Sequence, residues 1–264
     1  MEYFKLTDAD AADALPLSAE AGWNQTEDDW RIFIRHGHCF GIRAEGVLVA
    51  TAAALPYDGF GFVGMVLTTA AWRHRGFGTR LLGCAVVALT GAGRIAVLDA
   101  TPAGRPIYGR QGFLPIDALE RWAGEAVGTP RTVSVPVATI AEFDALAFGA
   151  RREFLFADFL RRPGTVALIE PGGCAIARNG RRATQIGPVV ATHEAQAIEL
   201  LRRLLGHLRG PVFLDVPTRW ISLVEWLEAQ GFRRQRPFTR MALHRARQFG
   251  HPARLFAVAG PEFG

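Results

Sequence analysis

The sequence lacks the long apolar runs and the paired cysteines that mark membrane proteins and disulfide-rich proteins. Its longest apolar stretches, Val47 to Leu55 and Leu81 to Leu89, are well short of the roughly 20 residues that cross a bilayer. The three cysteines, Cys39, Cys84 and Cys174, are far apart and form no C-x-x-C pair, which argues against a disulfide framework or a zinc site. Because 49% of the residues are apolar, the composition also excludes a disordered chain. We therefore expect a soluble globular protein.

Lysine is almost absent from the chain. Lys5 is one of 30 basic residues, and the remaining 29 are arginines. The arginines are scattered, often in pairs near acidic or apolar residues, and they do not form the continuous basic stripe that favours nucleic-acid binding. The net charge of +5 is better suited to an anionic small ligand. The N-terminus has no basic leader before an apolar stretch, so we expect a cytoplasmic protein with no membrane partner.

The order of predicted elements indicates an internal duplication. A chain of 264 residues is long enough for two domains, and the second half repeats in weaker form the mixed α/β pattern of the first. Val97 to Ala100 and Phe213 to Val216 each close a predicted strand and lead through a proline-containing loop and a short helix to a Gly-Phe pair. Because both copies keep the strand's aspartate, Asp99 and Asp215, we assign it a structural role. The interpretation is an α+β fold in which each domain is a twisted mixed sheet flanked by helices.

The domain boundary is predicted between Ala123 and Val135. Gly124, Gly128 and Pro130 interrupt the hydrophobic pattern in this interval. The two domains would then cover residues 1–128 and 131–264.

A glycine-containing loop carries the sharpest chemical signal. The sequence Arg73-x-x-Gly76-x-Gly78 follows a predicted strand and precedes a helix predicted over Gly76 to Thr90. Glycines let the backbone approach a ligand closely, and the free N–H groups and the dipole of a helix N-terminus favour an anion such as a pyrophosphate. The alternative is an ordinary glycine-rich turn with solvated arginines. Neither the Gly-x-Gly-x-x-Gly dinucleotide pattern nor a Gly-Lys-Ser/Thr phosphate loop is present.

The loop resembles the acyl-CoA-binding loop of the GNAT superfamily of N-acetyltransferases, whose pattern is Gln/Arg-x-x-Gly-x-Gly/Ala. A second segment, Thr101 to Phe113, is similar to the family's Asn-x-x-Ala-x-x-Leu-Tyr-x-x-x-Gly-Phe. Tyr108 and the pair Gly112-Phe113 match this pattern, whereas Thr101 and Gly104 replace the usual Asn and Ala. Among GNAT proteins, the chain looks most like tandem bacterial acetyltransferases that have an active N-terminal copy and a divergent C-terminal copy.

The resemblance implies transfer of an acetyl group from acetyl-CoA by direct attack of an unidentified small-molecule amine, with no metal. Tyr108 would be the catalytic acid that protonates the departing thiolate. Trp23 and Asn24 would contact the acceptor. A backbone N–H near Val66 or Leu67 would polarise the thioester carbonyl. The residues implied in donor binding are Met65, Val66, Leu67, Arg73, His74, Arg75, Gly76, Phe77, Gly78 and Thr79.

The general base is left open by the sequence. Many family members carry an acidic residue on the strand before the loop, but Phe60 to Met65 contains no titratable side chain. The candidates are Glu27, Asp28, His38, Asp58 or a water molecule. The absent carboxylate motivates an alternative hypothesis, a catalytically idle module that binds acyl-CoA or regulates another protein.

The second copy lacks the anion-binding loop and the tyrosine of the first. Ile186 to Glu194 stands where the anion-binding loop would be and has no Arg-x-x-Gly-x-Gly pattern, and Leu227 aligns with Tyr108. We expect a degenerate domain that packs against the first and walls off the acceptor site, with the segment Gly260 to Gly264 reaching that interface. Oligomeric state and acyl-chain preference are not indicated by the sequence.

Overall fold

The computed structural model describes residues 1–133 and 135–264. The chain packs as two compact units, Met1–Leu98 and Asp99–Gly264, and each unit combines a mixed sheet with helices. Within the described residues, every helix is too short or too polar to cross a bilayer.

The N-terminal unit is built on a sheet with the strand order β1-β2-β3-β4-β5. Neighbouring strands are antiparallel except for β4 and β5, which are parallel. The strands are β1 (Glu2–Lys5), β2 (His38–Ala44), β3 (Val47–Pro56), β4 (Phe60–Thr68) and β5 (Ile95–Ala100, which spans the division between the units), and the helices are α1 (Ala11–Glu20), α2 (Glu27–His36) and α3 (Phe77–Thr90).

Local sequence explains the helices of this unit. Helix α2 begins with a capping box, in which the Thr26 hydroxyl accepts from the Asp29 N–H and the Asp29 carboxylate accepts from the Thr26 N–H. Helix α3 buries one apolar stripe, formed by Phe77, Leu81, Leu82, Ala85 and Leu89. Burial of this stripe fixes the direction of α3, and therefore the position of its N-terminus relative to β4.

The C-terminal unit has the strand order β11-β6-β10-β9-β8-β7, with β12 paired to β9. Its strands are β6 (Phe113–Val127), β7 (Val166–Glu170), β8 (Gly173–Arg178), β9 (Thr184–Val190), β10 (Arg209–Pro217), β11 (Arg233–Leu243) and β12 (Leu255–Ala257), and its helices are α4 (Arg105–Gly109), α5 (Val137–Phe148), α6 (Glu153–Arg161), α7 (Glu194–Leu205) and α8 (Ile221–Ala229).

Strand β6 was not expected from the sequence, which places a break in the pattern near Ala123. The strand continues to Val127 and pairs antiparallel with both β10 and β11. Gly124 lies inside it, and a Cβ at this position would come within 2.6 Å of the Phe232 ring. The glycine therefore makes room for an aromatic ring and does not end the strand. The boundary at 128/131 stays a prediction, and the compact units divide at Leu98/Asp99 because β6 pairs with strands of the second half.

The two repeated aspartates form reciprocal salt bridges. Arg121 on β6 makes a two-pronged contact with Asp215, at 2.9 and 2.8 Å, and Arg240 on β11 makes the same contact with Asp99, at 2.8 and 2.7 Å. Each arginine is the eighth residue after the Phe of its repeat's Gly-Phe pair. The aspartate of each repeat is thus bound by the arginine of the other, which is the pattern of a strand exchanged between two copies.

Candidate functional site

A β-bulge in β4 marks the centre of the candidate donor site. The pairing of β3 with β4 shifts register between Thr51 and Ala53, so that Ala52 lies opposite two residues, Met65 and Val66. Met65 adopts a φ of 54°, in the left-handed region that non-glycine residues rarely occupy. A bulge leaves its extra residue outside the hydrogen-bond ladder, so part of the backbone of this segment is available to a ligand.

The other edge of β4 opens just before the bulge. The parallel pairing of β4 with β5 covers Phe60 to Phe62 and ends where Phe62 faces Val97. Beyond Phe62, β4 pairs with β3 alone among residues 1–98. The edge groups of this segment can therefore hydrogen-bond an extended ligand as a further strand would.

The loop after β4 delivers the chain to the N-terminus of α3 through two left-handed residues. His74 has a φ of 62° and Gly76 a φ of 78°, and residues 73–76 are exposed. A Cβ on Gly76 would meet no atom within 4 Å, so this glycine is needed for its backbone conformation and not for space.

The start of α3 is an uncapped helix N-terminus. The first helical hydrogen bond runs from the Arg80 N–H to the Gly76 carbonyl at 3.0 Å, so the N–H groups of Phe77, Gly78 and Thr79 precede the helical ladder. The N-cap residue, Gly76, has no side chain that could accept a hydrogen bond from them. This end of α3 therefore presents N–H donors and the positive end of the helix dipole, which together suit an anion.

The arginines around the loop differ in how firmly they are held. Arg80 donates to the Tyr3 hydroxyl at 3.0 Å, and the Arg75 guanidinium lies 4.5 Å from the centre of the Trp72 ring. Arg73 donates weakly to the Thr68 carbonyl at 3.3 Å and lies 3.7 Å from Glu20. Arg73 is exposed and its polar contacts are long, so its side chain can turn toward a bound phosphate.

Glu20 supports this loop and was not singled out from the sequence. Its Oε1 atom accepts a hydrogen bond of 2.6 Å from the Ala70 N–H, at the first turn of the loop. The contact joins the end of α1 to the end of β4. No signal in the sequence links residues fifty positions apart, so this contact was beyond prediction.

Tyr108 sits on α4 with its ring packed over a glycine. The tyrosine is half-buried, and burial raises the pKa of its hydroxyl to about 12, so the group stays protonated at neutral pH. A Cβ on Gly104 would lie 2.7 Å from one ring carbon and 3.3 Å from another. An alanine at position 104 would therefore displace this ring.

The predicted acceptor residues lie in the connection between α1 and α2. Asn24 is buried and Trp23 is half-buried, and both make contacts with neighbouring groups. The next residue, Gln25, is also buried, and its Oε1 atom has no hydrogen-bond partner in the described part of the chain. An unpaired buried amide oxygen is costly, which makes Gln25 a further candidate for ligand contact in this connection.

The acidic candidates for the general base are poorly suited to it. Glu27 and Asp28 both pair with Arg31, the latter at 3.0 Å. Asp58 is exposed in the turn between β3 and β4, seven residues and therefore about 23 Å of extended chain from Met65, at about 3.3 Å per residue.

His38 is the remaining side-chain candidate. It pairs with Ala54, which in turn pairs with Val63, two residues before Met65. Burial, together with the nearby charges of Lys5 and Arg94, lowers the pKa of His38, so its imidazole is neutral and able to accept a proton at neutral pH.

Two of the cysteines are unsuited to nucleophilic attack. Burial raises the pKa of the Cys39 thiol to about 12 and raises that of Cys174 further, so both remain thiols at neutral pH. Cys84 is exposed on α3.

The second half repeats the strand arrangement of the first. In the second half, however, a later segment of the same half, β12 and Val258, fills the position that corresponds to the open edge of β4. Strand β9 pairs with β10 from Thr184 to Ile186. The pairing of β9 with its other neighbour, β8, then shifts register at Gly187-Pro188. Beyond this point β12 pairs with β9, and the N–H of Val258 donates to the carbonyl of Asp215 on β10 at 3.0 Å. A Cβ on Gly187 would lie 1.8 Å from the Val258 carbonyl oxygen, so the segment passes directly against the bulged position.

The segment that follows β12 is buried in the same unit. Arg152 donates to the carbonyls of Phe263 and Gly264 at 2.9 and 2.7 Å, and Arg178 donates to the carbonyl of Ala259 at 2.6 Å. Phe263 is fully buried. That Gly260 to Gly264 reach the interface with the first domain stays a prediction.

Comparison with known proteins places both halves in one family. Residues 7–113 match the model of the acetyltransferase (GNAT) family, and residues 140–257 match a model of an acetyltransferase (GNAT) domain. The chain is 22% identical over 249 residues to the uncharacterized N-acetyltransferase YitH of Bacillus subtilis, which covers 88% of this chain and 87% of that protein.

Solved structures share the fold over nearly the whole chain. A protein from Pyrococcus horikoshii, described as a candidate acetyltransferase, superposes with a TM-score of 0.82 at 18% identity and covers 100% of this chain and 95% of its own. A tandem GNAT protein from the clavulanic acid biosynthesis pathway gives a TM-score of 0.63 at 15% identity, with coverage of 91% and 97%. Because the two family matches together take in most of the sequence, the chain belongs to the GNAT acetyltransferase family, as an acyltransferase with two such domains in tandem.

Proposed function

We propose that the protein transfers an acetyl group from acetyl-CoA to the nitrogen of a small-molecule amine, and that the N-terminal half holds the donor. The observation that carries this proposal is the run from β4 to α3. It combines a bulge with an unpaired strand edge, a left-handed glycine turn and an uncapped helix N-terminus beside Arg73. These are the features that an extended, amide-containing thioester with a pyrophosphate requires.

Each part of this run has a distinct role in the proposal. Residues 74–79 bind the pyrophosphate through backbone N–H groups, and Arg73 adds a charge-assisted hydrogen bond. The open edge at Met65 to Leu67 pairs with the amides of the pantetheine arm. A backbone N–H at the bulge donates a hydrogen bond to the thioester carbonyl. This hydrogen bond becomes stronger in the transition state, because negative charge develops on the carbonyl oxygen.

The proton transfers are assigned to side chains outside this run. Acetyl-CoA supplies a thioester whose C–S bond breaks as the amine nitrogen bonds to the acyl carbon. The departing thiolate takes a proton from Tyr108, whose raised pKa keeps its hydroxyl protonated. The amine loses its proton to His38 directly or through a water molecule, since the lowered pKa of His38 keeps the imidazole neutral.

The C-terminal half is proposed to bind no donor. Its own strand β12 and Val258 occupy the space beside β9 that corresponds to the open edge of β4. We therefore expect one acetyl-CoA per chain.

Titration calorimetry with acetyl-CoA, followed by a thiol-release assay across a panel of amines, tests the proposal. The expected result is one binding event per chain and release of CoA that depends on an added amine. Absence of binding at tens of micromolar acetyl-CoA would reject the donor site. Binding without thiol release on any of a broad set of primary amines would favour the idle acyl-CoA-binding module.

A further inference from the structure

Thr51 is the single polar side chain in the buried run of β3. The strand is buried from Leu48 to Leu55, and its other buried residues are alanine, valine and leucine. Thr51 itself has no exposed surface. A hydroxyl buried in an apolar strand costs free energy unless it is hydrogen-bonded, so its partner is informative.

That partner is the bulge. The Oγ1 atom of Thr51 donates a hydrogen bond of 2.8 Å to the carbonyl oxygen of Met65, the left-handed residue at the register shift. A non-glycine residue in this region is strained, and a buried hydrogen bond to its carbonyl stabilises the strained conformation. The Thr51 hydrogen bond therefore offsets part of the backbone strain at Met65.

We propose that Thr51 is a positioning residue for acyl transfer, which acts by fixing the orientation of the peptide group between Met65 and Val66. The inference rests on the proposed function. The Met65 carbonyl and the Val66 N–H belong to the same planar peptide unit, so holding the carbonyl on one side directs the N–H to the other. Thr51 lies behind the bulge, in the core, and touches no substrate. Thr51 sets the direction of the Val66 N–H, which polarises the thioester carbonyl.

A purely structural threonine would behave differently from a positioning one. Replacing Thr51 by Val keeps the β-branched shape and removes the hydroxyl, whereas Ser keeps the hydroxyl and removes a methyl group. A packing role predicts that Ser is the more harmful change, because it leaves a small cavity. A positioning role predicts that Val is the more harmful change to catalysis, even when it leaves folding intact.

The test uses acetyl-CoA labelled with ¹³C at the carbonyl, bound to the full chain, and needs no acceptor amine. In the wild type, we expect the C=O stretching frequency to fall on binding, because an N–H donor polarises the carbonyl. Thr51→Val should return the frequency most of the way to that of free acetyl-CoA, with a Kd within about threefold of wild type. Thr51→Ser should keep the shifted frequency. Melting temperatures of both variants check that they fold.

Turnover gives the second readout. Thr51→Val should lower kcat about 10-fold with an unchanged KM for acetyl-CoA, and Thr51→Ser should recover most of it. A Thr51→Val variant that binds acetyl-CoA with the wild-type carbonyl frequency would overturn the positioning role. Should Thr51→Val fail to fold, a lost frequency shift in Thr51→Ser would overturn it equally. A wild-type protein that does not bind acetyl-CoA would instead reject the proposed function on which the inference rests.

Discussion

Gly104→Ala should slow acyl transfer by moving the Tyr108 ring. The added Cβ would lie 2.7 Å from a ring carbon where ordinary contacts begin at 3.4 Å, so the ring must move by at least 0.7 Å (3.4 − 2.7). The backbone at Gly104 is right-handed helical, with φ −79° and ψ −32°, so alanine brings no backbone strain there. The displaced ring is thus the direct consequence of the substitution.

The size of the effect follows from the displacement. A misplacement of about 1 Å in a reacting group can cost on the order of 100-fold in rate. We therefore expect kcat to fall 10- to 100-fold, equivalent to about 1.4–2.7 kcal/mol of transition-state stabilisation, with the Kd for acetyl-CoA within twofold. Gly109→Ala is the matched control, because it lies on the same short helix and its Cβ would meet no atom within 4 Å.

The assay is steady-state thiol release at saturating acetyl-CoA, measured for Gly104→Ala, Gly109→Ala, Tyr108→Phe and the double variant Gly104→Ala/Tyr108→Phe. If Gly104 acts through the tyrosine hydroxyl, alanine at 104 should add little to the loss already caused by Tyr108→Phe. Gly104 does not act through Tyr108 if Gly104→Ala retains the activity of the Gly109→Ala control, or if its effect is equally large when the hydroxyl is absent.

Three further outcomes are expected. Arg73→Ala should weaken acetyl-CoA binding 10- to 100-fold with a smaller change in kcat, because it removes one charge-assisted phosphate contact, and calorimetry would contradict this if Kd were unchanged. The pKa of Tyr108 is about 12, so kcat should not fall between pH 8 and pH 10 through loss of its proton, and an alkaline limb near pH 10 that vanishes in Tyr108→Phe would show the opposite. Asp215→Asn leaves the Arg121 charge buried without its carboxylate partner and should lower the free energy of unfolding by about 3–5 kcal/mol in chemical denaturation. The control, Asp13→Asn at an exposed position, should change it by less than about 0.5 kcal/mol. Equal effects would exclude the buried pair as the cause.

The glycine-containing loop and the helix that follows it were readable from local sequence. Helix α3 was predicted over Gly76 to Thr90 and is found over Phe77–Thr90, because its apolar spacing and flanking glycines are short-range signals. The duplication was readable for the same reason, since each repeat carries its own strand, proline loop and Gly-Phe pair. The resemblance to the GNAT family is confirmed by the comparisons. The roles of the individual site residues stay predictions.

What the sequence by itself determined is therefore local, as in the extent of helix α3 and the strand, proline loop and Gly-Phe pair of each repeat. The tertiary structure decided which strands became neighbours. It placed β6 between β10 and β11, crossed the salt bridges of Asp99 and Asp215 between repeats, and laid β12 beside β9. It also set the Thr51 hydroxyl against the Met65 carbonyl. Strand pairing, bulges and buried ion pairs join residues far apart in the chain, so they depend on packing between elements that no local pattern encodes.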